Sequence, residues 1–202
     1  MNESTGNGEL HLRQELALYS RKSFERGLVS GTGGNLSVRI PGTNTALVTP
    51  SGVSLADVEP DQNILVDLEG KILSAPPGLK PSKETSFHLE AYRLRPEIHA
   101  LAHVHPAYAT AYANKGIVLP LVTVSARGNL KHVPCIDCAP PGSGELRELV
   151  CAGLEAYPGV RAILMKEHGI LTLGKDLKEA YYLADLVEDT AKIAFIESNI
   201  RV

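Results

Sequence analysis

The tripeptide His103-Val104-His105 is the densest group of metal-binding side chains in the sequence. On an extended strand, residues two apart point to the same face, so both imidazoles would stand close enough to chelate one cation. Two histidines on a strand are more often structural or surface residues than ligands, and a third donor is needed. The segment Lys166-Glu167-His168-Gly169 supplies a candidate, a histidine at the end of a predicted strand with a permissive glycine after it that lets the chain turn inward. Three neutral imidazoles leave a divalent ion its full charge and an exchangeable position. That suits a Lewis-acid catalyst better than a structural site, which is normally fully coordinated. Zinc is the default ion, and histidine ligands also accept Mn2+, Co2+ or Fe2+.

A Lewis acid beside a hydroxy-carbonyl compound needs a group that moves a proton, and Glu84 is the natural candidate. Its bland reading is an acidic residue in the first turn of a helix, where the helix dipole favours it anyway. His88, four residues on, shares that helix face and reads either as a hydrogen-bond partner that orients the base or as a core histidine. His99 lies one step farther out on the His103 strand face, while His11 and His132 sit in unmatched segments, so none of the three is taken as a ligand. Arg127, read as standing in a turn, and Tyr108, on an apolar face, are left without a role. The pair Cys135-x-x-Cys138 has no second pair for a metal site and lies in a proline-flanked connection, which favours small buried thiols over redox chemistry.

The elements that must carry these residues follow from periodicity. Leu12, Leu16 and Tyr19 recur at helical spacing ahead of Gly27, after a loose tip over 1–8. The turn Gly31-Thr32-Gly33-Gly34-Asn35 leads into strands near 36–40 and 46–49, and Glu69-Gly70 joins 64–68 to 71–73 as a hairpin. A helix spans 82–95, and residues 98–105 alternate strictly, with Leu101, His103 and His105 on one face. A helix near 145–156, strands at 161–166 and after Gly169, and a helix over 177–198 complete the chain. This order predicts a three-layer α/β/α sandwich with a central, largely antiparallel sheet. A doubly wound parallel sheet would need regular strand-helix alternation, which 31–73 lacks.

The 202 residues suit a single domain over 1–202, and a formal net charge of −3 with no basic run argues against nucleic acid or anionic membrane partners. The start MNESTGNGEL has neither a basic head nor an apolar run, so the expectation is a cytoplasmic protein whose three cysteines stay reduced. The glycine turn lacks both a P-loop ending and dinucleotide spacing, which argues against ATP or NAD.

Five segments together resemble the signature blocks of the class II aldolase/adducin family, in the family's order and across nearly the whole chain. They are Gly31-Thr32-Gly33-Gly34-Asn35-Leu36-Ser37, Thr49-Pro50-Ser51-Gly52, Pro81-Ser82-Lys83-Glu84, His103-Val104-His105-Pro106 and Glu167-His168-Gly169. The resemblance implies that His103, His105 and His168 hold zinc and that Glu84 is the catalytic acid/base. It also implies that Gly34, Asn35, Ser51, Gly52 and Ser82 surround a substrate phosphate, consistent with glycine-rich turns presenting backbone N–H groups to anions. The implied activity is cleavage of a carbon-carbon bond in a short phosphorylated ketose, through a metal-stabilised enediolate, by a homotetramer.

The match departs in three places. Fuculose-phosphate-type aldolases carry a second serine where this chain has Lys83, whose ammonium suits a substrate phosphate or a carboxylate. Their two proton-handling tyrosines have no counterpart in Leu121–Arg127 or in the tail Ser198–Val202. The same enolate can be reached by decarboxylating a 3-oxo-4-phosphate sugar acid, so a decarboxylase is the alternative. Sugar-phosphate epimerases and a thioribulose-phosphate dehydratase are further relatives. A non-enzymatic adducin-like module would have no reason to keep three histidines and Glu84 in register.

Overall fold

The computed structural model describes residues 3–201, with side chains from Gly8 onward. Its elements in chain order are α1 (Glu3–Glu25), β1 (Asn35–Arg39), β2 (Thr45–Val48), β3 (Ile64–Asp67), β4 (Ile72–Ser74), α2 (Thr85–Leu94), β5 (Ala100–Val104), α3 (Ala107–Asn114), α4 (Val124–Leu130), β6 (Cys135–Ile136), α5 (Gly144–Ala156), β7 (Ala162–Met165), β8 (Gly169–Gly174) and α6 (Leu177–Asn199). The loose tip expected over 1–8 falls partly on residues 1–2, outside the described residues, and partly on the first turns of α1. No helix among the described residues is long and apolar enough to cross a membrane.

The eight strands form one sheet in the order β4-β3-β2-β1-β5-β8-β7-β6. Every pair is antiparallel except β6 with β7 at one edge. Strand alternation divides the interior into two apolar layers. Leu36 and Val38 of β1 and Ala100, Ala102 and Val104 of β5 pack with Leu16 and Tyr19 of α1, Ala109 of α3, Leu130 of α4 and Ala184, Val187 and Ala191 of α6. On the opposite face Leu101 packs with Phe87, Leu89 and Tyr92 of α2 and Leu146, Val150 and Leu154 of α5. Helices therefore cover both faces of an almost wholly antiparallel sheet, which is the three-layer sandwich expected.

Local chemistry sets the boundaries. After α1, Gly27 takes φ +74 and the Leu28 N–H reaches back to Ser23 O, a closure that a left-handed glycine makes cheap. Ser143 and Asp176 cap α5 and α6 by accepting N–H bonds from Leu146 and Glu179.

Sequence periodicity predicts no element between His105 and residue 145, whereas α3, α4 and β6 occupy that stretch. The two helices are short, and each buries only one pair four residues apart, Ala109 with Ala113 and Ala126 with Leu130. The alternating Ala-Tyr text of α3 gives no helical period. Arg127 accordingly lies on α4 and not in a turn.

Candidate active site

β5, β1 and β8 are neighbours in mid-sheet, and the site forms where β5 ends, β1 begins and the β7–β8 turn crosses over. His103 stands directly opposite Asn35 across the β1–β5 pair, so both side chains project from the same sheet face. It is fully buried, and its Nδ1 lies 2.9 Å from Ile170 O. A carbonyl only accepts, so Nδ1 carries the hydrogen and Nε2 keeps its lone pair for a cation. His105 lies one residue past β5, where its backbone N–H donates to Leu28 O at 2.9 Å. Its Nε2 comes within 2.9 Å of His103 Nε2.

His168 reaches the same point through a strained turn. Glu167 takes φ +56, a left-handed conformation costly for a side-chain-bearing residue, and the Asn114 carboxamide oxygen accepts its N–H at 3.0 Å. The inward turn was expected to rest on the permissive Gly169, but Gly169 does not have the positive φ. Glycine is required there for close approach: a Cβ would sit 2.4 Å from Val104 O and 2.6 Å from His105 Cδ2. One ligand atom from each of His103, His105 and His168 lies within 4.8 Å of the other two.

Glu84 precedes α2 at its N-cap position, one residue outside the first turn where the sequence pattern puts it, and its side chain caps nothing. The carboxylate turns instead to the histidines. Oε2 accepts from Asn35 Nδ2 at 2.8 Å and lies 3.2 Å from His103 Nε2, while Oε1 lies 3.0 Å from His168 Nε2. Burial alone would raise the pKa of this nearly enclosed group, 7% exposed. Hydrogen bonds and charge attraction from His103 and His168 in their protonated, metal-free forms outweigh it, holding the carboxyl well below the usual carboxylate range. At neutral pH Glu84 is ionised. Burial, with repulsion from His103 and His168, pushes His105 down to about 3, so it stays in the neutral form that a metal requires.

The donor set fits a divalent cation. Three imidazoles converge, one tautomer is fixed by Ile170, and Glu84 Oε1 is buried without a well-aligned hydrogen-bond donor beside the cluster. His103, His105 and His168 would hold the ion, and zinc, manganese, cobalt and iron all accept such ligands.

In front of the cluster opens a cleft of about 410 Å³. Every residue linked to phosphate by resemblance borders it, Gly34, Asn35, Ser51, Gly52 and Ser82, as does Lys83, where the chain departs from the family pattern, together with Glu84, His105 and His168. His103 lies behind the lining. Gly34 has φ +76, and a Cβ there would meet Val29 Cγ1 at 2.6 Å and His103 O at 2.9 Å. The Ser51 N–H already donates to Lys80 O at 2.8 Å, so that turn offers a ligand the Ser51 hydroxyl and the Gly52 backbone. Lys83 is exposed at the rim, with no acidic partner among the described residues.

Thr32, Gly33 and Pro50, which fall in the signature blocks without an expected site role, also line the cleft, as does Pro141, which lies outside those blocks. The polar contacts behind Glu84 escape a sequence reading too. His88 bonds not to Glu84 but to the hydroxyl of Ser37, at 2.7 Å. Both Cys135 and Cys138 are free thiols, and Cys138 is exposed, contrary to the small buried pair expected, because the chain leaves edge strand β6 there. A separate hollow of about 470 Å³ beside α6, bordered by Arg161, Lys175, Glu179 and Tyr182, contains none of the histidines.

The comparisons agree with this architecture. The family described as Class II Aldolase and Adducin N-terminal domain matches residues 14–195, and the chain belongs to that family. It is 35% identical over 181 residues to an L-fuculose phosphate aldolase of Methanococcus maripaludis, covering 90% of this chain and 94% of that one. It is 32% identical over 206 residues to a 3-oxo-tetronate 4-phosphate decarboxylase of Pectobacterium atrosepticum, covering 99% and 91% of the two chains. The L-fuculose-1-phosphate aldolase structure from Thermus thermophilus superposes with a TM-score of 0.80 at 32% identity, covering 93% of this chain and 94% of that one.

Proposed function

We propose that this chain is a zinc-dependent lyase that cleaves, or in reverse forms, the carbon-carbon bond between the carbons alpha and beta to the carbonyl of a short phosphorylated ketose. The observation that carries the reading is the Glu84 carboxylate, ionised and held by Asn35 between His103 and His168 at the floor of an open cleft. When bound, the cation supplies Lewis-acid polarisation of the substrate carbonyl and of a neighbouring hydroxyl. The remaining steps belong to the chain. Retro-aldol cleavage requires a hydroxyl beyond the breaking bond to lose its proton and the carbon next to the carbonyl to gain one. Glu84 is placed to take part in these transfers, and Asn35 keeps Oε2 oriented while they occur. The hydroxyls of Ser51 and Ser82, the backbone of Gly34 and Gly52 and the Lys83 ammonium hold the terminal phosphate away from the reacting carbons.

Lys83 also favours a second reading. A rim ammonium without an acid partner can seat a carboxylate, and no tyrosine borders the cleft among the described residues to act as proton donor. Decarboxylation of a 3-oxo-4-phosphate sugar acid would use the same floor without needing a hydroxyl proton to leave first. The deciding assay loads the protein with metal and supplies short ketose phosphates and 3-oxo-4-phosphate acids in parallel, following dihydroxyacetone phosphate and carbon dioxide. Dihydroxyacetone phosphate without carbon dioxide supports the aldolase. Carbon dioxide moves the reaction to the decarboxylase, and neither product rejects both. The working assembly proposed is a cytoplasmic homotetramer, which a monomer in sedimentation would contradict.

A further inference from the structure

Behind Glu84, on the side away from the cleft, three polar side chains meet in an otherwise apolar layer. Ser37 Oγ lies 2.7 Å from His88 Nδ1 and 2.7 Å from the Tyr92 hydroxyl. Their exposures are 0% for Ser37, 1% for His88 and 0% for Tyr92, and none of them borders the cleft. Apolar residues of similar size would fill this layer without the desolvation cost of three polar groups, so the network must do something that packing alone does not.

Its placement indicates what. Asn35 and Ser37 are two apart on β1 and share a face, an advance of about 6.7 Å. Glu84 and His88 are four apart at the start of α2, an advance of about 6 Å. The spacings match, so α2 is joined to β1 by two parallel cross-links, Asn35 to Glu84 and Ser37 to His88. Tyr92, one turn farther along α2, reaches the same Ser37 hydroxyl and adds a third tie. Ser37 is paired with Leu101 and Asn35 with His103, so the strand being gripped is in register with the one that carries His103.

We propose that Ser37, His88 and Tyr92 form a buried clamp that fixes the register of α2 on β1 and thereby aims the Glu84 carboxylate at the His103 and His168 side of the site. They are positioning residues acting through Glu84, and the inference rests on the proposed role of Glu84 as the base. Without the clamp, α2 is free to slide or rotate slightly against β1. The Asn35–Glu84 bond lengthens while the histidines, carried by β5 and the β7–β8 turn, stay in place.

The test compares Ser37→Ala, Ser37→Thr, Tyr92→Phe and Glu84→Gln in the full-length protein. Each is assayed for kcat and KM per folded, metal-loaded site, and the Asn35 side-chain amide is followed by NMR in the metal-free protein. We expect Ser37→Ala to keep its metal and a KM within about twofold of wild type, but to lose kcat by about tenfold or more. The amide signal of Asn35 should move toward the value of an unbonded carboxamide, and Ser37→Thr, which keeps the hydroxyl, should restore both readings. Tyr92→Phe should fall between the two, and it carries the test if Ser37→Ala does not fold. Wild-type kcat per site and an unmoved Asn35 amide in Ser37→Ala overturn the clamp, as does a loss fully explained by lost metal. If Glu84→Gln itself turns over normally, it is the base assignment that fails, a result separable from failure of the clamp.

Discussion

Asn35 and His103 face each other across the β1–β5 pair, and Glu84 Oε2 lies between them, 2.8 Å from the Asn35 amide nitrogen and 3.2 Å from His103 Nε2. A strand residue thus holds one side of the carboxylate and a metal-ligand candidate the other. The base and the cation site are therefore mechanically coupled, yet they depend on different atoms.

The coupling is separable by substitution. Glu84→Gln preserves size and leaves all three imidazoles in place, so it should retain bound metal while losing turnover. A positioned acid/base contributes about 10²–10⁴-fold, and the loss in kcat should fall in that range. Metal content by atomic absorption beside steady-state kinetics checks both halves. Undiminished activity would remove Glu84 from the proton-transfer role.

His105→Ala should lose metal and activity together. Two imidazoles remain, one of them fully buried, and the open site loses a third of its donors. Chelation of the wild type should abolish activity reversibly and lower the melting temperature, because a cation that binds only the folded chain stabilises it by about 2.7 kcal/mol at a hundredfold excess over Kd. Re-addition of zinc, manganese, cobalt or iron to the stripped protein would rank the native ion. A chelated protein with unchanged Tm and activity would count against a metal centre.

Much of the site is legible in the sequence because its spacing matches element periods. His103 and His105 are two apart on a strand, and the hairpin at Glu69-Gly70 announces β3 and β4. Both follow from single-element geometry. Less legible is whatever depends on two elements meeting. The left-handed Glu167, the close passage of Gly169 over Val104 O and the meeting of Ser37 with His88 each involve partners 51 or more residues away or a backbone strain that no local pattern encodes. Short α3 and α4 escape a periodicity reading because each buries a single pair of residues.

His88 makes a prediction about acid stability. Burial foremost, then repulsion from His103, lowers its pKa from 6.5 to about 3, with Glu84 opposing. Above the unfolded value both states are neutral and nothing is lost. As pH falls below 6.5 the unfolded chain takes up a proton that the fold refuses, so stability declines through the window down to about 3. Each unit of displacement corresponds to about 1.4 kcal/mol. Urea unfolding of the metal-free protein at about pH 7.5 and about pH 5 should show a larger loss for wild type than for His88→Gln. Equal losses would mean that His88 is not held neutral.

Gly169→Ala tests the close passage. The added Cβ would lie 2.4 Å from Val104 O, a backbone atom, and 2.6 Å from His105 Cδ2. The backbone cannot yield without disturbing the β5–β8 pair, so part of the strain should fall on the His105 ring. Overpacking of this kind costs about 1–3 kcal/mol, and metal affinity should weaken in addition. Calorimetry of the stripped protein isolates the first effect and metal titration the second. An unchanged metal affinity would show that the strand, not His105, absorbs the clash.

Lys83 distinguishes the two proposed reactions. Its ammonium stands at the rim of the cleft, next in sequence to Glu84 and with no acid partner among the described residues. As a phosphate ligand it would act on every phosphorylated substrate alike. Lys83→Ser should then raise KM for ketose phosphates by about tenfold, equivalent to about 1.4 kcal/mol, with kcat little changed because the phosphate is bound equally before and during reaction. As a carboxylate anchor it would leave ketose phosphates untouched and weaken only the 3-oxo acids, whose carboxylate must be held until the bond breaks. Measuring KM for both substrate classes in the same variant separates the roles, and no change in either would leave Lys83 a solvated surface residue.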